Sequence, residues 1–353
     1  MKAALFYGGK DIRVEEVPEL SPGPGEVLVR VIAAGVCGSD LHGYRDTEKK
    51  VLSQGEGPFM TGHELAGEIA VLGSGVKDLA VGQRVGVEPR HLVGCGRCRW
   101  CRRGDYHLCP WRGQKDSKKV HSTGFSEYSL ESADKCYPLP DEASIEEVAI
   151  MDVYAVAVHA LHRVPIGPTE KVAVIGLGPI GLATVQLAKS LGAYQVIGFG
   201  TRDSVLDVAT QIGCDNVVNV NKGNPVSAAR ELTNGEGVDI VYESVGGKSP
   251  TFQMAIGIAA QGAHVCIIGV YTQSQDLESR TCMQKELSLD WANSYSTWNG
   301  ISEYKIALDM LLAGKYKASS LITHRFPLDQ IGQAFAAADD KRRSEAVKVL
   351  VIP

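Results

Sequence analysis

The run Val172-Ala173-Val174-Ile175-Gly176-Leu177-Gly178-Pro179-Ile180-Gly181 restricts the fold of this chain more than any other stretch. Its first four residues read as a strand buried on both faces, and the G-x-G-x-x-G spacing then turns the chain into a helix. Gly176 suits the tight turn, Gly178 lets the backbone approach a pyrophosphate, and Gly181 lets helix and strand pack closely. Pro179 and Ile180 open the helix, whose N-terminus would face the negative charge of a dinucleotide. Strand patterns follow at 195–199, 216–220, 239–243, 264–268 and 287–289, with helical patterns starting near Ile180, Ser204, Val226 and Pro250. That alternation predicts an α/β region, a doubly wound parallel sheet of the Rossmann type over 166–290.

The end of the second strand decides which dinucleotide is expected. An NAD site places Asp or Glu there to bind the adenosine ribose hydroxyls. Here the chain reads Val196-Ile197-Gly198-Phe199-Gly200-Thr201-Arg202, with Gly200 where the acid would stand. Thr201 adds a hydroxyl and Arg202 a planar, always-charged fork suited to a phosphate, so the expected cofactor is NADP.

Residues 1 to about 140 have a different texture, with short β-branched runs at 2–7, 12–17, 27–33, 68–72, 84–87 and 125–130 separated by Gly/Pro turns. Ser144-Ile145-Glu146-Glu147 then forms a capping box ahead of an apolar run at 148–164, read as one long helix or two. Pro165-Ile166-Gly167-Pro168 is the expected domain boundary. The tail, 291–353, reads as helices at 302–313 and 328–338 with strands at 320–326 and 346–352. It is too short and strand-poor for a third domain and is expected to return to the first, spanning 1–165.

Nine cysteines, an odd number without a secretory signal, do not read as a disulfide framework. Cys95-x2-Cys98-x2-Cys101-x7-Cys109, in a lobe at about 94–112, supplies four thiolates that can close a tetrahedron around a structural zinc ion. An iron–sulfur run would place three residues rather than seven before the last cysteine. A nucleic-acid zinc ribbon would separate its two knuckles more widely. Cys136, Cys214, Cys266 and Cys282 read as buried thiols.

A second constellation lies in Gly35-Val36-Cys37-Gly38-Ser39-Asp40-Leu41-His42 and Gly62-His63-Glu64. Cys37 and His63 offer sulfur and nitrogen to an open, catalytic zinc. Asp152, the acid inside the apolar run 148–164, is the third candidate ligand. Glu64 either alternates with water as the fourth ligand or supports the site.

These motifs together make the chain resemble a zinc-dependent medium-chain dehydrogenase/reductase, the superfamily of alcohol, sorbitol and threonine dehydrogenases. The resemblance implies a GroES-like β-rich catalytic domain, a Rossmann domain and a cleft between them for zinc and nicotinamide. It makes Cys37 and His63 zinc ligands, Glu64 a near ligand and Asp152 the acidic ligand of the branch lacking a second cysteine. It makes Ser39 the hydroxyl that takes the substrate proton, His42 the last step of a relay to solvent, and Asp40 the carboxylate that orients His63. Branch markers are mixed. Asp152, where polyol members usually have Glu followed by Pro, resembles the threonine and the NADP-dependent secondary-alcohol dehydrogenases. Gly200-Thr201-Arg202 resembles the second of these, which lacks the four-cysteine lobe, whereas Glu88 resembles the sorbitol branch and leans towards sugars or polyols.

The expected reaction is hydride transfer between NADP and a secondary alcohol or ketone, first a polyol, sugar or cyclitol, then a simple secondary alcohol or a threonine-like amino alcohol. Two zinc ions per chain are expected. A non-catalytic NADPH-binding protein would have lost the ligand set that this chain keeps. The net charge of −5 argues against a nucleic-acid partner. Without a leader-like N-terminus or a bilayer-length apolar run, a cytoplasmic location is the expectation. The family implies a homodimer or homotetramer, with 287–289 as the strand where subunits would join.

Overall fold

The computed structural model describes residues 1–45, 59–115, 118, 119 and 122–353. They form two compact units, Met1–Asp152 with Ile322–Pro353, and Val153–Leu321.

In the first unit, β-branched alternation produces a seven-stranded sheet. Its path runs Ile322–Pro327, Lys348–Ile352, Glu26–Gly35, Glu64–Leu72, Arg84–Val87 and Cys136–Pro138, with Tyr128–Ser132 also paired to Glu26–Gly35. Lys2–Gly8 and Asp11–Glu16 form a separate hairpin. Val27, Val29, Leu65, Ile69 and Val85 fill the core with Phe6, Phe125 and Phe335, whose rings meet edge to face. Of the tail, Ile322–Pro353 belongs to this unit, where Lys348–Ile352 pairs antiparallel with Glu26–Gly35.

Register at one point of this sheet builds the site. Gly35 pairs with Glu64 on one side and with Leu350 on the other. Cys37, His63 and Lys348 therefore emerge within two residues of a single rung. A side chain at residue 35 would collide with the Glu64 carboxylate and stand 2.9 Å from Lys348 Cε, so only glycine leaves the carboxylate its place.

The second unit contains the expected six-stranded parallel sheet, in the order Asn216–Asn219, Gln195–Gly200, Lys171–Ile175, Val238–Glu243, Ala259–Ile267 and Ser288–Trp291. This is the doubly wound strand order, reversing beside Lys171–Ile175. The unit divides at 152/153 and 321/322, rather than at the 165/166 and 290/291 expected from turn residues and the change of period. Side chains explain the difference. Tyr154 stacks on Tyr316 at 4.2 Å, Tyr242 Oη donates to the Val164 carbonyl, and His159 bonds Glu303. These contacts tie the Met151–Arg163 helix and the 291–321 segment to the parallel-sheet unit. The apolar run itself forms two helices, Ile145–Ala149 and Met151–Arg163, with Ser144 Oγ accepting from the Glu147 amide. Among the described residues no helix is long and apolar enough to cross a membrane.

Candidate active site

The strand Glu26–Gly35 delivers Cys37, and the short helix Gly38–Arg45 follows it. Sequence patterning did not indicate this helix, because two glycines and a polar majority give it no apolar stripe. It places Asp40 to accept the Cys37 amide at Oδ2 (2.9 Å) and the Thr61 hydroxyl at Oδ1 (3.1 Å). His63 Nδ1 lies 3.7 Å from the same Asp40 Oδ1. Cys37 Sγ, a His63 ring nitrogen and a Glu64 carboxylate oxygen all lie within 4.8 Å of one another. Asp152 stands outside that group of three, although its charge acts on both His63 and Lys348.

The residue that sequence reasoning missed is Lys348. Its ammonium is buried (2% exposed), pairs with the Glu64 carboxylate and donates to the Val36 carbonyl at 3.0 Å. Burial pushes its pKa down, but the charges of Glu64, Cys37 and Asp152 outweigh this and raise it. The signal available was a single lysine heading the apolar strand Lys348–Ile352. His63 is under the same field: burial lowers its pKa, and Cys37, Asp40 and Asp152 together lift it well above the ordinary value. Glu64 Oε1 is buried without a hydrogen-bond partner. A thiol, an imidazole and a carboxylate with an unsatisfied oxygen, beside the carboxylates of Asp40 and Asp152, fit a divalent zinc ion with mixed S/N/O ligands.

A cavity of about 250 Å³ opens beside this group, lined by Ser39, Asp40, Thr61, His63, His91 and Ser122 among others. Ser39 is exposed to it, and His42, three residues on along the helix, is exposed as well. His91, also unforeseen, meets His63 edge to face at 5.2 Å. Among the aromatic residues of the sequence, Tyr44 and Tyr295 are buried, Trp298 stacks on His162, and Trp291 is exposed.

Behind Ser122 lies Glu131, fully buried and hydrogen-bonded by Ser129 Oγ (2.5 Å) and Ser122 Oγ (3.0 Å). Burial pushes its carboxyl up to about 7, against the pull of these hydroxyls and Arg90. The folded state thus holds the proton more tightly than the unfolded chain, whose carboxyl titrates near 4.5. The stabilisation is complete below that value and disappears as pH rises through about 7, a loss on the order of a few kcal/mol. Glu131→Gln is expected to remove this component. Urea unfolding at pH 5 and pH 8 should show a smaller pH difference for the variant, and an unchanged difference would refute the assignment.

The four cysteines converge as the spacing predicts. Their sulfurs lie within 4.8 Å of one another, Cys98 and Cys101 Sγ are 3.5 Å apart, and none is in a disulfide. The Arg97 amide, then that of Cys98, holds Cys95 down to about 6 against the effect of burial, favouring the thiolate that zinc requires. Glu88, the residue that resembles the sorbitol branch, has a structural task. It is fully buried and accepts from Tyr106 Oη (2.5 Å), Lys135 Nζ (2.9 Å) and Tyr137 Oη (2.8 Å). Because Tyr106 lies between Cys101 and Cys109, this carboxylate moors the lobe to the strands beneath it. Cys136, Cys214 and Cys266 are buried and Cys282 is half-buried.

In the second unit, a cavity of about 620 Å³ is lined by Gly176, Leu177, Gly178, Gly200, Thr201 and Arg202. A side chain at Gly181 would strike the Gly176 carbonyl, whereas one at Gly178 would point into open space, as a ligand-facing glycine should. Pro179–Ser190 begins there with no side chain capping its N-terminus, leaving backbone N–H groups for an anion. Gly200 closes its strand with Leu177 and Leu206 packed over its Cα, each 3.1 Å from where a Cβ would sit. Any acid at residue 200 would have to displace them.

Comparison with known proteins agrees with both halves of this picture. Residues 23–141 match the alcohol dehydrogenase GroES-like domain, and residues 179–313 match the zinc-binding dehydrogenase family. The chain is 32% identical to the sorbitol dehydrogenase of Bacillus subtilis, over 100% of this chain and 97% of that protein. It is 31% identical to the L-idonate 5-dehydrogenase of Vitis vinifera, over 99% and 93% of the two. A zinc-binding dehydrogenase from Sinorhizobium meliloti 1021, solved bound to NADP, superposes with a TM-score of 0.86 at 29% identity, covering 100% of this chain and 99% of that one. With a GroES-like unit, a nicotinamide-nucleotide fold and two zinc-ligand clusters, the chain belongs to the zinc-containing medium-chain alcohol dehydrogenase family.

Proposed function

We propose that this enzyme transfers hydride between NADP and a secondary alcohol, with a polyol, sugar or cyclitol as the substrate class. The observation that carries the reading is the Cys37–His63–Glu64 group, whose His63 lines a cavity that also holds the hydroxyls of Ser39, Thr61 and Ser122, the His91 imidazole and the rings of Phe6 and Phe59. Three hydroxyls and two imidazoles beside an apolar wall offer partners for a substrate carrying several hydroxyls. The sorbitol and L-idonate dehydrogenases among its relatives support the same class.

Cys37 and His63 would hold zinc, with Asp152 or Glu64 adding a carboxylate. Zinc there supplies a Lewis acid for the substrate oxygen, and the nicotinamide supplies the hydride acceptor. The chain's own residues do the rest. Asp40 ties the Cys37 amide and Thr61 into one unit and faces His63, so the two ligands keep their spacing. Lys348 balances Glu64 and holds its carboxylate against the group. Ser39 takes the substrate hydroxyl proton, and His42, on the same face of the helix one turn on, passes it to water.

Cofactor choice rests on Gly200, which brings no charge, and Arg202, which brings a phosphate-binding fork. Arg202→Ala is expected to lower kcat/KM with NADP by about 10–100-fold, the value of one or two charge-assisted hydrogen bonds, and to leave kcat/KM with NAD nearly unchanged. Steady-state kinetics with both cofactors over polyols, aldoses, cyclitols, secondary alcohols and threonine test the whole reading. Wild-type preference for NAD would overturn the cofactor assignment, and a preference for threonine or simple alcohols would overturn the substrate class.

A further inference from the structure

The second unit carries a cluster that the dehydrogenase chemistry does not use. His159 and His162 lie three residues apart on the Met151–Arg163 helix and so face the same way. Glu303 opens the helix Glu303–Leu312 and is completely buried between them. His159 Nδ1 is 2.8 Å from Glu303 Oε2, and His162 Nδ1 is 2.7 Å from Oε1. One oxygen and both ring nitrogens lie within 4.8 Å of one another. We propose that His159, His162 and Glu303 form a third metal site, of two nitrogens and a carboxylate, for a divalent transition ion such as Zn²⁺, Co²⁺ or Ni²⁺.

Three features favour an ion over a purely hydrogen-bonded staple. Ligands bound at about 2.0–2.2 Å lie about 3.0–3.5 Å apart around a metal, octahedral to tetrahedral, so the present N···O separations of 2.7 and 2.8 Å need to open by less than about 1 Å. The groups are held as ligands usually are. The Ser296 amide donates to Glu303 Oε2 at 2.6 Å, and the Trp298 indole stacks on the His162 ring at 4.6 Å and 7°, fixing its plane. Finally, Glu303 is a fully buried carboxylate with an imidazole against each of its oxygens, so an anionic donor and two nitrogen donors are already gathered away from water, where a divalent cation is well compensated. His162 is 35% exposed at its side chain, giving an ion a route to a remaining water position. The site has no thiolate, so it fills only after the two cysteine-containing sites, and its ion cross-links the two helices.

The test is a cobalt(II) titration of the full-length, zinc-loaded protein. One additional Co²⁺ per chain is expected, with visible d–d absorption but without the thiolate-to-cobalt charge-transfer band that exchange into a cysteine site would give. His162→Ala should weaken this binding by at least about 100-fold, beyond the 10–100-fold typical of losing an outer-shell partner. Should that variant misfold, imidazole NMR of the wild type decides: Zn²⁺ in excess of two per chain must remove the Nδ1 protons of both His159 and His162. Absence of any sulfur-free cobalt at millimolar metal, Co²⁺ binding that survives His162→Ala, or Nδ1 protons that persist would each overturn the proposal and leave a hydrogen-bonded staple.

Discussion

Cys37→Ala and His63→Ala should each lower turnover by at least about 10³-fold, because a metal acting on a reacting oxygen supplies several kcal/mol and each 1.4 kcal/mol is a factor of ten. NADPH affinity, measured by fluorescence titration, should change little, since the cofactor cavity is built entirely from residues of the Val153–Leu321 unit. Zinc content should fall by one ion per chain, with the four-cysteine lobe still loaded. A variant that keeps its turnover would remove the metal from the mechanism. One that loses NADPH binding as well would point to a folding defect instead.

The second large effect concerns Lys348. Lys348→Met leaves the Glu64 carboxylate buried and without its cation, and breaking a buried pair in this way costs about 3–5 kcal/mol. Pairing it with Glu64→Gln should recover most of that loss, because the uncompensated charge is then gone. The single variant should also be destabilised less with zinc bound than without, since the ion offers Glu64 another positive neighbour. Denaturation of metal-free and zinc-loaded protein measures both differences. A double variant no more stable than Lys348→Met alone would show that the lysine matters through packing rather than charge.

These two residues also show what could be read from the chain. Cys37, His63, the four-cysteine lobe and the glycine turn were legible because their chemistry is local: each motif's spacing fits one short piece of backbone. Lys348 was not, since its partner Glu64 lies in a different strand and only the shared rung at Gly35 brings them together. From sequence it is a lysine starting an ordinary strand, while its burial is a property of the finished sheet. Glu88 differs in the opposite sense. Its resemblance to a branch marker suggested substrate, but its hydrogen bonds to Tyr106, Lys135 and Tyr137 come from segments 18 to 49 residues away and serve the lobe. The compact units divide at residues other than 165–168 for a related reason. Turn residues at 165–168 mark a bend in the chain, whereas membership of a unit follows from contacts such as His159 with Glu303, 144 residues apart.

The account stands most directly on the metal held near Cys37. Removal of that ion by a chelator, followed by its readdition, can be monitored as NADPH formation from the best alcohol of the panel. The predicted result is loss of activity with the first non-lobe zinc and recovery on restoring one equivalent per chain, with NADPH binding constant throughout. Full activity in protein whose only zinc is in the four-cysteine lobe would contradict it.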